Sequence, residues 1–64
     1  MDNFTATMIV EQDWDMAGVE PSEEAFIEAA QHLIDTGLAW SLQGYFGRTC
    51  QHLIDEGYCT ARAE

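Results

Sequence analysis

Apolar positions recur at helical spacing twice along this chain. Phe26, Ala29, Ala30, Leu33 and Ile34 fall at i, i+3, i+4, i+7 and i+8, which is one face of a helix. Phe46, Thr49, Cys50, Leu53 and Ile54 repeat that spacing in the second half. The run Gln31–Gly37 returns as Gln51–Gly57 with only Thr36 changed, to Glu56. Each run reads as the last turns of a helix closed by a glycine, because Gly37 and Gly57 can take the left-handed conformation past a helix end. Leu38 can then fold back onto Leu33, and Tyr58 stands where Leu38 stood. The first helix has a clear start: Ser22 caps it, and Glu23 and Glu24 meet the positive end of its dipole. The second starts at Leu42 with Ser41 as cap, or near Tyr45 with Gly44 in the turn. In the first case Gly44 and Gly47 share a helix face that another backbone can approach closely. The short link between the copies makes an antiparallel helical hairpin the default, with Trp40 and Leu42 plugging its end.

The N-terminal segment reads differently. Phe4, Ala6, Met8 and Val10 alternate with Thr5, Thr7, Ile9 and Glu11, a strand period over about 3–11. A lone strand needs a partner, either a second strand near Trp14 to Val19 or the same strand of another chain. Gln12 to Pro21 is an acidic connector with Trp14 and Met16 interleaved. The predicted fold is thus a small α+β domain, mostly α. It joins a two-helix hairpin (about 23–36 and 42–56) to an N-terminal strand or extended segment, with residues 1–21 extended and 22–59 forming the hairpin of one domain, 1–64. Arg62 and Glu64 belong to a short tail without structural signal.

Charge changes this picture more than size does. Sixty-four residues carry 12 acidic side chains against two arginines, Arg48 and Arg62, for a net charge of −10. Such a field disfavours direct contact with nucleic acid or an anionic membrane, both of which call for lysine and arginine. A basic protein surface is the natural partner, although the same charge also serves solubility. Nine of the acids precede residue 36. A chain this short buries only about 60% of its unfolded surface, and a homodimer is one way to enlarge its core. Two cysteines, Cys50 and Cys59, make no disulfide framework and read as reduced thiols, which fits a cytoplasmic protein. No signal peptide or membrane span is apparent.

Candidate chemistry is sparse. His32 with Asp35 and His52 with Asp55 resemble paired metal ligands one turn apart, but both histidines lie opposite the apolar stripe and point outward. No metal site and no cofactor are therefore expected. No nucleophile is visibly paired with a base and no phosphate loop follows a strand, so an enzyme is not expected either. Arg48, which replaces the Glu28 of the first copy, reads as an ion-pair partner of Glu28, Glu24 or Asp35.

The run Leu33-Ile34-Asp35-Thr36-Gly37-Leu38-Ala39-Trp40-Ser41-Leu42-Gln43-Gly44-Tyr45-Phe46-Gly47-Arg48-Thr49, continuing into Leu53-Ile54-Asp55-Glu56-Gly57, resembles a family of small uncharacterised proteins from tailed bacteriophages. The resemblance covers about residues 24–59 and implies a phage or prophage origin, with the host bacterial cytoplasm as the place of action. Small acidic phage proteins include DNA mimics that inhibit host defence, anti-CRISPR and anti-restriction proteins among them. This is an analogy of size, charge and origin.

The expectation is an acidic binding protein that covers the nucleic-acid-binding groove of a basic host protein or nucleoprotein complex, with anti-CRISPR activity as the leading example. Glu11, Asp13, Asp15, Glu20, Glu23, Glu24 and Glu28 are the candidate contacts. The alternative is a phage accessory protein that binds a partner helix, or its own copy, through Trp40, Gly44, Tyr45 and Gly47.

Overall fold

The N-terminal segment is a helix, not a strand. The computed structural model describes residues 1–42 and 44–61, and no strand or sheet occurs among them. Gln43, Arg62 and Glu64, which the sequence placed in the hairpin link and the tail, lie outside the described residues. Asp2 caps α1 (Asn3–Val10) by accepting the Thr5 N–H at 2.7 Å. The alternation that suggested a strand is compatible with a helix that buries Ala6, Ile9 and Val10, at i, i+3 and i+4, and leaves Phe4 55% exposed. A single strand would leave its ladder groups without partners, whereas a helix satisfies them within itself. The end of α1 has no glycine to announce it. Gln12 takes the left-handed conformation (φ 65°), its N–H donating to Ile9 O at 2.9 Å while the Asp13 N–H donates to Met8 O at 2.8 Å.

Asp13 then caps the single turn α2 (Trp14–Ala17), and Gly18, left-handed at φ 69°, ends it. The predicted second strand near Trp14 to Val19 is therefore this turn and the loop after it. α3 (Glu23–Thr36) starts where Ser22 predicts, with the hydroxyl accepting the Ala25 N–H at 3.0 Å. Gly37 (φ 82°) closes α3 and leads directly into a short helix absent from the sequence reading, α4 (Leu38–Ser41). Ser41 thus ends inside α4 rather than capping the next helix. α5 (Gly44–Asp55) begins at Gly44.

The two copies of the repeat end differently. After α5 the Gly57 N–H donates to Ile54 O at 3.1 Å and the Tyr58 N–H to Leu53 O at 2.9 Å, the glycine-based cap the sequence predicts. After α3 the Gly37 N–H likewise donates to Ile34 O at 3.1 Å, but the chain then re-enters a helix at once and the Leu38 N–H lies 3.5 Å from Thr36 Oγ1.

α3 is the central element. α1 packs along one side of it and α5 along another, while α4 bridges α3 and α5. Ala29, Ala30, Leu33 and Ile34 of α3 meet Ala6, Ile9 and Val10 of α1, Ala39 of α4, and Phe46, Cys50 and Leu53 of α5 in one core. Trp14, Phe26, Leu42 and Ile54 pack against this core while remaining partly exposed. Trp40 does not plug the hairpin end: it is half exposed. Both cysteines are free and buried.

Candidate acidic groove on α3

The repeat places two equivalent helix faces in different surroundings. On α5 the face formed by Gly44, Gly47 and Arg48 is met from elsewhere in the chain at Gly47, while Gly44 and Arg48 stay exposed. A Cβ at Gly47 would lie 3.6 Å from Ala39 O and 3.6 Å from Cε3 of Trp40, so α4 lies across it. A Cβ at Gly44 would lie 3.0 Å from Nη1 of Arg48, whose guanidinium folds back along its own helix. The equivalent positions of α3 are Glu24, Ile27 and Glu28, and among the described residues this face is open. It forms a groove of about 550 Å³ lined by Glu23, Glu24, Ile27, Glu28, Gln31 and Tyr58.

The far wall of this groove is fixed to α3 by hydrogen bonds. The Cys59 thiol donates to Ile27 O at 3.7 Å. Gln31 grips Thr60 twice, Oε1 accepting its N–H at 2.9 Å and Nε2 donating to its carbonyl at 3.0 Å. Nε2 also donates to Asp35 Oδ1 at 2.9 Å. These bonds hold Tyr58 beside α3 with 55% of its surface exposed. The groove therefore has an apolar floor and wall, Ile27 and Tyr58, and a rim of three carboxylates.

All seven predicted acidic contacts are exposed. The fold groups them. Glu23, Glu24 and Glu28 line the α3 groove, while Asp15 and Glu20 line a smaller one of about 350 Å³ with Trp14, Gly18, Val19 and Pro21. Asp13 is committed in part to capping, its carboxylate accepting the Met16 N–H at 3.3 Å. Glu11 sits at the C-terminal end of α1 and lines neither groove. Of the alternative set, Gly44 and Gly47 face the protein's own Arg48 and α4, and the Tyr45 hydroxyl donates to Val10 O at 3.2 Å. Trp40 keeps half its surface in solvent.

Ile27, Gln31 and Tyr58 escaped the sequence reading as site residues. Ile27 lies at the edge of the Phe26–Ile34 stripe, beside Ile34, and is only partly buried. His32 faces α1 instead of solvent alone, with Nε2 2.8 Å from Asn3 Oδ1, while His52 is exposed. Among the described residues no three His, Cys, Asp or Glu side chains are placed to hold a metal ion, and no helix is long and apolar enough to cross a membrane.

A protein-family model described as a domain of unknown function (DUF7417) matches residues 6–64. No curated protein and no solved structure matches the chain.

Proposed function

From the premise that the chain belongs to the DUF7417 family, whose description carries no activity, we propose that it is a binding protein whose acidic surface engages a basic, nucleic-acid-binding partner. The observation that carries this reading is the unbroken sign of the surface from the end of α1 through the first turns of α3. Glu11, Asp13, Asp15, Glu20, Glu23, Glu24 and Glu28 are all exposed along it, with no lysine or arginine between them. Carboxylates at this density attract a groove lined with lysine and arginine over a Debye length, speed the encounter, and exclude nucleic acid from the site they occupy. The resemblance of the C-terminal half to small tailed-phage proteins gives the reading its concrete form: a phage-encoded inhibitor that acts in the host cytoplasm on a nucleic-acid-binding defence complex by mimicking DNA, as anti-CRISPR proteins do.

The test is a tagged pull-down from lysate of the host bacterium at low and high salt, with DNA as competitor. The expected result is a basic nucleoprotein that leaves as salt rises and is displaced by DNA. Reversal of Asp13, Asp15 and Glu20 to lysine should abolish its capture while circular dichroism still reports a helical protein. A partner retained at high salt and lost on Trp40→Ala would overturn the electrostatic reading in favour of the aromatic surface of α4.

A further inference from the structure

We infer that the α3 groove is a docking site for an arginine side chain of a basic protein segment, with Tyr58 and Ile27 receiving the stem and guanidinium plane and Glu23, Glu24 and Glu28 receiving the charge. The inference rests on the acidic-surface reading and assigns it an anchor.

Three observations lead to this site. The first is the comparison the repeat itself provides. On α5 an aromatic residue of α4 lies against Gly47 and the Arg48 guanidinium folds back beside Gly44, although Gly44 and Arg48 themselves stay exposed. On α3 the same face has Ile27 in place of Gly47, Glu28 in place of Arg48, and a groove of about 550 Å³ in place of α4. The second is the charge arrangement. Glu23 and Glu24 lie in the first turn of α3, where the helix dipole favours them. Glu28 lies beyond that turn and one turn from Glu24, a like-charge spacing that costs an isolated helix about 0.2–0.5 kcal/mol. An incoming cation would offset that repulsion. The third is that the wall is already in place. Cys59 and Thr60 are tied to Ile27 and Gln31, so Tyr58 is held before any ligand arrives and little ordering remains for binding.

Arginine fits this arrangement better than lysine. A guanidinium stacks on an aromatic face and pairs in a planar, two-pronged manner with a carboxylate, whereas an ammonium is a compact and strongly hydrated point charge. The second groove, at Trp14 and Glu20, carries two carboxylates around a tryptophan that packs on the core, and lacks the rim that α3 supplies.

The experiment is an NMR titration of the isotopically labelled full chain with a short glycine–serine peptide bearing two arginines. Its lysine counterpart and its uncharged citrulline counterpart serve as further probes. The arginine peptide should move the amide signals of Ile27, Glu28, Gln31 and Tyr58, bind at least threefold more tightly than the lysine peptide, and lose its effect in the citrulline form. Tyr58→Ala and Glu28→Gln, both at exposed positions, should each weaken it at least threefold with helicity unchanged. Shifts centred on Trp14 and Glu20, equal binding of the arginine and lysine peptides, or indifference to Tyr58→Ala would each overturn the assignment. Failure here is separable from failure of the broader reading: a salt-sensitive partner captured equally by Tyr58→Ala and wild-type protein removes the groove and leaves the acidic surface standing.

Discussion

The thiol of Cys50 donates to the carbonyl of Ala30 at 3.9 Å, so the two copies of the repeat meet at equivalent positions. Both residues are fully buried, and the small side chains there let α5 approach the backbone of α3. Cys50→Leu pushes extra methylenes into that contact and should cost about 1–3 kcal/mol in urea unfolding. Cys50→Ala, which keeps the approach open, should cost less. Equal losses would mean that the contact is not tight.

Burial also raises the Cys50 thiol from its ordinary value of 9.0 to about 11, with the neighbouring Cys59 adding to the shift. The folded protein therefore keeps this proton after the unfolded chain has begun to lose it. The associated stability is fully present below pH 9.0 and is lost as pH rises toward about 11. Denaturation midpoints should fall across that window in the wild type and fall less in Cys50→Ala. Parallel curves for the two proteins would contradict this.

Backbone conformation makes substitutions at three turn and helix positions differ in sign. Gly47→Ala should stabilise the protein by about 0.5–1 kcal/mol, since a Cβ meets Ala39 and Trp40 at ordinary contact distances and helical glycine costs that much. Gly37→Ala should destabilise it by about 1–2 kcal/mol, because φ is 82° there. Gln12→Gly relieves a non-glycine residue at φ 65° and should be stabilising. Thermal melts of the three variants provide the check.

Gln31 and Gln51 occupy the same place in the repeat and each donates to an aspartate one turn on, Asp35 at 2.9 Å and Asp55 at 3.0 Å. Only Gln31 also binds Thr60. Gln31→Ala should therefore remove hydrogen-exchange protection from the Thr60 amide and weaken arginine-peptide binding by freeing the Tyr58 wall. Gln51→Ala should do neither, and equal effects would show that the Thr60 bonds do not position the groove.

The sequence by itself determined the interactions that close within a few residues. Ser22 and the helical stripe beginning at Phe26 place the start of α3, and Gly37 and Gly57 mark the two helix ends, because caps and periodicity are satisfied locally. The distribution of acidic residues was likewise legible. Tertiary structure decided the rest. The segment from Asn3 to Val10 fits a strand period and a helix face about equally well, and only the burial of Ala6, Ile9 and Val10 against α3 selects the helix. Its glycine-free end at Gln12 and the inserted turn of α4 carry no sequence signal of comparable strength. The groove depends on Ile27 and Tyr58, which belong to different halves of the repeat and become neighbours only when Thr60 is tied to Gln31. A local pattern cannot encode that meeting, because its energy comes from contacts the chain makes after α5 has packed on α3.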